Sequence, residues 1–249
     1  MRFLILSDIH GNIDALDAVM ARAPRDSYDR LLVLGDLLGY GANPNEVVDR
    51  IFDLQPDVII RGNHDKVASG VESSDSFNRI AAEAARWTQK AITPENRERV
   101  AALPAGPVNV DKDVEVCHGT PFDEDTYVFD EDDAVRALDS AHRKICFFGH
   151  THVPVAYVRQ GSDLTVVHPQ PGGSDATVVN VLKKNRYLVN PGSVGQPRDT
   201  DSRASYASYD SRKQRIEIRR VPYRIDLAQQ RISEAGLPES LAFRLGLGR

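Results

Sequence analysis

Residues 1–12 read MRFLILSDIHGN. Phe3-Leu4-Ile5-Leu6 is a continuous apolar run, without the alternation of a strand that has one wet face. It is the pattern of a strand buried on both sides, as in a parallel sheet covered by helices. The run stops at Ser7-Asp8 and enters a short glycine-bearing segment, Asp8 to Asn12. Helical spacing follows at Ile13, Leu16, Ala18, Val19 and Met20, closed by Pro24. The same pattern recurs downstream. Leu31 to Leu34 is a second apolar run, followed by Gly35-Asp36, and Val47, Val48, Ile51 and Leu54 share one helical face. Asp57 to Ile60 is a third strand, leading into Arg61-Gly62-Asn63-His64-Asp65. Such strand–turn–helix alternation predicts βαβ units and parallel pairing.

Beyond this region, residues 66–76 are polar and Ser-rich and read as a surface loop, and 77–91 as an Ala-rich helix holding Trp87. Thr93-Pro94 reads as an N-cap with proline in the first helical turn, the helix ending before Leu103-Pro104. From Val108 the character turns to β, with strands at 114–117, 144–148, 155–158, 164–167, 178–182, 203–209 and 215–219. A short helix at 132–140 and a Gly/Pro loop at 170–176 interrupt them. No repeat and no linker appears, so the expectation is a single domain over 1–249, with an amphipathic helical tail from about residue 224.

Composition narrows the function. Of 249 residues, 41% are hydrophobic and 27% charged, and the formal net charge is −5, the profile of an ordinary globular protein. There is no Lys/Arg-rich run, hence no evident nucleic-acid-binding patch. The first apolar run is too short for the core of a signal peptide, and nothing approaches the roughly 20 apolar residues of a membrane span. With only two cysteines, a cytoplasmic location is expected. Cys117 and Cys146, each in an apolar run and without C-x-x-C spacing, read as buried free thiols.

Five segments placed just after predicted strands carry the chemistry: Asp8-Ile9-His10-Gly11-Asn12, Gly35-Asp36, Gly62-Asn63-His64-Asp65, His118-Gly119 and Gly149-His150-Thr151-His152. The carboxyl ends of strands are where open α/β sheets bind ligands. Five of the seven histidines fall in these segments. Carboxylates, an amide oxygen and neutral imidazoles suit divalent Mn, Fe, Zn, Co or Ni. Asp-x-His and His-x-His each put two donors on one side of an extended segment. Two ions about 3.5–4 Å apart need a shared carboxylate, and Asp36 is expected in that role because its strand is expected to lie centrally.

These five motifs, in this order over residues 1–152, resemble those of the calcineurin-like metallophosphoesterase superfamily. The resemblance implies an α/β fold, a four-layer αββα sandwich with two mixed β-sheets. It also implies a binuclear centre holding two divalent metal ions, manganese foremost. Asp8, His10, Asp36 and His152 would hold one ion, and Asp36, Asn63, His118 and His150 the other. His64 would stand beside them as proton donor to the leaving group. The implied activity is phosphoester hydrolysis by a metal-bridging water, on a small phosphoester or nucleotide-like substrate.

One departure bears on substrate. Protein phosphatases of the superfamily read G-D-x-V-D-R-G after the second strand, with an Asp that supports the histidine and an Arg that grips phosphate. This chain reads Gly35-Asp36-Leu37-Leu38-Gly39-Tyr40-Gly41. Losing one cationic clamp disfavours dianionic monoesters, so phosphodiesters are the expected substrates. The Gly39-Tyr40-Gly41 turn and Asn190 to Arg198 resemble the small prokaryotic phosphodiesterase branch. Arg198 is a candidate phosphate contact, with pairing to Asp199 or Asp201 as its alternative, and Tyr40 a candidate stacking surface. Arg61 is expected to orient a neighbouring carboxylate, and His142 and His168 to be ordinary surface or strand-edge residues. Other readings stay open: a catalytically silent interaction scaffold, a dinucleoside polyphosphate hydrolase or a protein phosphatase.

Overall fold

The computed structural model describes residues 1–249. Two six-stranded mixed sheets pack face to face between layers of helices. In the first sheet, β1 (Arg2–Leu6), β2 (Arg30–Val33) and β3 (Val58–Ile59) run parallel. It continues antiparallel through β11 (Ala204–Asp210), β12 (Arg215–Val221) and β9 (Ala176–Asn180), in the order β3-β2-β1-β11-β12-β9. The second sheet has the order β4-β5-β6-β10-β7-β8. Its members are β4 (Val108–Asn109), β5 (Val114–Val116), β6 (Ile145–Phe147), β7 (Val155–Gln160), β8 (Asp163–Val167) and β10 (Arg186–Asn190). β5, β6 and β10 are mutually parallel.

The apolar run that opens the chain is explained by this layering. Phe3 and Ile5 face the second sheet, in a core shared with Leu32, Leu34, Val116, Phe147, Tyr187 and Val189. Leu4 and Leu6 face the opposite way, against α1 (Ile13–Arg22) and α2 (Pro44–Asp53) through Leu16, Val19, Val47 and Ile51. Each such side chain, fully buried, stabilises the fold by roughly 1.5–3 kcal/mol. The helix α6 (Glu131–Ser140) covers the outside of the second sheet with Ala134, Ala137 and Leu138. No helix is long and apolar enough to cross a membrane. Cys117 and Cys146 are buried and unbridged, their sulfurs 3.6 Å apart.

Three details differ from the sequence reading, and the expected helical tail is resolved into two helices. The segment after His64 is not a loop throughout: α3 (Asn63–Ser69) continues to Gly70, whose left-handed φ of 85° ends it, and Lys66 to Ser69 are buried. β10 lacks a distinct local signal, with three apolar residues between polar ones, yet it lies between β6 and β7 and is paired on both edges. β2 lies one strand in from the edge, and β1 and β11 occupy the middle. The tail forms two helices, α7 (Ile225–Glu234) and α8 (Glu239–Leu247), turning at Gly236. This hairpin packs on α4 (Arg79–Ala91) and on Tyr40, with Ala81, Ala84, Ile232, Leu241 and Leu245 in the contact. The Thr93 hydroxyl caps α5 (Pro94–Ala101), accepting from the Asn96 amide at 3.2 Å.

Candidate metal centre

Loops leaving β1, β2, β3, β5 and β6 open on one edge of the sandwich, joined by the Pro191–Arg198 loop after β10. They are tied to one another through the backbone. The amides of Asp8, Ile9 and Gly11 donate to the carbonyls of Gly35, Asp36 and Leu37 at 3.1, 2.8 and 2.8 Å. The His150 amide donates to the Asp8 carboxylate at 3.2 Å, and the His64 amide to Asp36 Oδ1 at 2.9 Å.

The result is a cluster of buried donors in two groups that share Asp36: Asp8, His10, Asp36 and His152, and Asp36, His118 and His150. Within each group the ligand atoms lie within 4.8 Å of one another. Asn63, at the first turn of α3, has a buried Oδ1 with no partner, and so does His118 at Nε2. The other ring nitrogen of each imidazole is committed. Nδ1 of His10, His118 and His152 donates to the carbonyls of Leu38, Leu34 and Gln196 at 2.8, 2.7 and 2.7 Å. His150 is turned the other way, with Nε2 donating to the Asp125 carbonyl at 3.0 Å. A carbonyl only accepts, so in a neutral ring the remaining nitrogen is a bare lone pair. His10 and His152 thus present Nε2 atoms 3.0 Å apart. Two lone pairs at that distance repel unless they share a proton or a cation.

The carboxylates make the same demand. Burial pushes Asp8 up, and the nearby Asp36 adds to this. Asp36 would be driven up by burial too, but His118, His64 and His10 hold it well below the usual carboxylate range. Burial lowers His118, yet Asp36 and Asp8 more than reverse this and raise it to about 10. The site therefore needs compensating positive charge, and the donors present fit divalent cations with oxygen and imidazole ligands.

The backbone is strained here. Asp8, His10, Asp36, Tyr40, His150 and His152 all have left-handed φ, between 50° and 67°. Such conformations cost of order 1–3 kcal/mol each in non-glycine residues and cluster at functional sites. They aim consecutive side chains inward from tight turns rather than from extended strand. Gly62 and Gly149 are the matching spacers. A Cβ at Gly62 would lie 2.1 Å from Asp36 Oδ1, and one at Gly149 2.0 Å from Ser7 Oγ.

His64 lies against this cluster, its ring centroid 4.4 Å from Tyr40, 4.6 Å from Phe77 and 4.9 Å from His10. Its Nδ1 is buried and has no hydrogen-bond partner. Burial lowers its pKa to about 4, partly opposed by Asp36. Asp65 gives it no support: its carboxylate accepts from the amides of Gly62 and Leu38 at 3.0 and 3.1 Å, tying the start of α3 to the Asp36 loop.

Arg198 pairs with neither Asp199 nor Asp201, which bind Arg220 and Arg203. Its guanidinium lies over the Tyr40 ring at 5.6 Å and donates to Gln196 Oε1 at 2.9 Å, leaving its Nε buried without a partner. Arg61 binds and orients the Glu124 carboxylate through two hydrogen bonds, 2.8 and 3.1 Å long. His142 and His168 are exposed. A cleft of about 270 Å³ opens between Asn63, His150, Phe77 and Tyr127.

Other residues of the centre had no individual role in the sequence reading, although the stretch Asn190 to Arg198 was singled out there. Asn190 Nδ2 donates to Gly149 O at 2.8 Å and to Thr151 Oγ1 at 3.0 Å, holding the strained His150–His152 turn. Ser193 Oγ donates to Asp8 O at 2.7 Å, and Gln196 supplies the carbonyl that orients His152. Tyr127 stacks on His150 at 3.7 Å. The stretch Asn190-Pro191-Gly192-Ser193-Val194-Gly195-Gln196 was the available signal, rich in turn formers and in polar residues that turned out to be buried.

Known proteins share this architecture. The family model of the calcineurin-like phosphoesterase superfamily domain matches residues 1–214. An uncharacterized protein of Methanocaldococcus jannaschii is 38% identical over 247 residues, spanning 98% of this chain and 97% of its own length. The crystal structure of a metallophosphoesterase from Sphaerobacter thermophilus is 39% identical with a TM-score of 0.88, covering 100% of this chain and 99% of that one. A protein from Pyrococcus horikoshii, 18% identical with a TM-score of 0.80 over 100% of this chain and 98% of its own, shares the fold.

Proposed function

The chain belongs to the calcineurin-like phosphoesterase superfamily, and on that premise we propose that it is a binuclear metal-dependent phosphoesterase that favours diesters over monoesters. The observation that carries this reading is the pair of donor groups sharing Asp36, whose free imidazole nitrogens and unpartnered Asn63 Oδ1 are all buried at one edge of the sandwich. Asp8, His10, Asp36 and His152 would hold one divalent cation, and Asp36, Asn63, His118 and His150 the other. Bound there, such cations polarise phosphoryl oxygens and lower the pKa of water.

The chain's own residues supply the rest. The cleft beside Asn63 and His150 admits the ester. Arg198 lends one guanidinium to a phosphate oxygen from across Tyr40. No Asp-Arg pair follows Asp36, and that single cation suits a monoanionic diester better than a dianionic terminal phosphate. His64 gives a proton to the leaving oxygen. Its depressed pKa makes it a sparing donor at neutral pH, one that matters most when the leaving group is poor.

Hydrolysis of bis(p-nitrophenyl) phosphate and p-nitrophenyl phosphate, each with manganese added or chelated, tests the reading. Faster, metal-dependent cleavage of the diester is expected. The Asp36→Asn variant should lose bound metal, measured by elemental analysis, together with hydrolysis. An active, metal-free Asp36→Asn protein would sink the scheme. A wild-type protein that binds metal yet cleaves neither ester would point to the silent scaffold.

A further inference from the structure

His10, His118 and His152 are oriented by carbonyls in the loops that leave β2 and β10. His150 alone takes its orientation from the segment between β5 and α6, where the Asp125 carbonyl accepts from its Nε2 at 3.0 Å. The Tyr127 ring, two residues on, stacks on the same imidazole at 3.7 Å. This segment holds no strand or helix of its own, so its position depends on what ties it down.

Lys66 ties it down. The residue lies on α3, three positions after Asn63 and two after His64, and it is buried. Its Nζ is 2.6 Å from Asp125 Oδ2, 2.9 Å from Glu72 Oε2 and 3.3 Å from Glu124 Oε1. An ammonium has three N–H donors, so each one meets a carboxylate. Glu124 also binds Arg61. The Asp125 and Glu72 side chains stay 45% and 47% exposed. Carboxylates that remain hydrated offset little of the cost of taking an ammonium out of water. Stability is therefore a poor account of why a lysine stands here. Geometry gives a better one: a single cation joins the helix that presents Asn63 and His64 to the residue whose carbonyl holds His150.

We propose that Lys66 is a positioning residue of the second cation site: by anchoring the Asp125 carboxylate it holds the Asp125 carbonyl against His150, and so fixes His150 relative to Asn63. The proposal rests on the two-cation reading above. It differs in sign from a plain charge effect. Taking a positive charge away from beside a cation site should strengthen that site, whereas releasing the Asp125 loop should weaken it.

The test uses the full chain and needs no turnover. Manganese titrated calorimetrically into the wild type should bind in two steps. In Lys66→Met one step should weaken about 10–100-fold, as when a group that orients a ligand is lost, and the other should hold. Asp125→Ala keeps the backbone carbonyl but removes its anchor, and should weaken the same step. Combining the two substitutions should add little, because both break one interaction. Nitrogen NMR of the imidazoles in chelator gives a second readout. His10, His118 and His152 are oriented through Nδ1 and His150 through Nε2, so His150 has its own signature, which both variants should shift while the other three stay. Tighter or unchanged manganese binding in Lys66→Met overturns the proposal. So do equal weakening of both steps, additive losses in the double variant, or a His150 signal that neither variant moves. If the wild type binds a single manganese ion while the His150 signal still depends on Lys66, the two-cation reading fails and the positioning of His150 by Lys66 stands.

Discussion

Asn190 offers the sharpest test of how the centre is held together, because it is not among the metal-binding donors. It is fully buried at the end of β10. Its amide donates to Gly149 O at 2.8 Å and to Thr151 Oγ1 at 3.0 Å, and its own Oδ1 accepts from the Gly192 amide at 2.8 Å. Asn190→Ala removes all three bonds and leaves their partners without replacements. At about 1 kcal/mol net per bond, the expected loss is about 3 kcal/mol. For a chain of this length that is a fall of about 6–12 °C in Tm. The damage is concentrated where His150 and His152 are held at φ of 67° and 60°. With the turn released, the strained conformers should relax, and manganese affinity should drop about 10–100-fold, as for other residues that orient ligands. Thermal unfolding by circular dichroism in chelator gives the first number, and the rise in Tm with added manganese gives the second, through the coupling of binding to stability. A variant within 2 °C of wild type, with an unchanged manganese-induced rise, would show that Asn190 does not hold the turn.

Two other outcomes are expected. His64→Asn should keep its metal, and its loss of turnover should grow as the leaving group becomes poorer, from small for p-nitrophenyl esters to about 100-fold or more for alkyl esters; an equal loss across leaving groups would remove the proton-donor role. Burial raises the Asp201 pKa, but hydrogen bonds from Arg203 and the Gly172 amide, with the charge of Arg220, bring it well below the unperturbed 3.8. Its stabilising effect is therefore present above that value and is lost as pH falls below it. Asp201→Asn should be less stable than wild type at neutral pH, with the difference shrinking in acid; a gap independent of pH measured by urea unfolding would refute the assignment.

The sequence by itself determined the elements and the chemical cast. Phe3 to Leu6 and Leu31 to Leu34 are apolar throughout because both faces of their strands are covered, and that pattern is local enough to read directly. The motif order likewise placed Asp8, Asp36, His118 and His150 just after strands, where α/β sheets put their ligands. Tertiary structure decided what depends on contacts distant in sequence. β10 is a strand because β6 and β7 flank it, and its own residues carry little signal. Each imidazole's free nitrogen is chosen by a carbonyl far along the chain, such as Leu34 for His118 and Gln196 for His152. Left-handed backbone at six non-glycine positions of the site is affordable only because the surrounding loops hydrogen-bond to one another, and no single segment encodes that. The tail's composition announced helices, but that α8 packs on Tyr40 through Leu241 and Leu245 follows only from the folded chain.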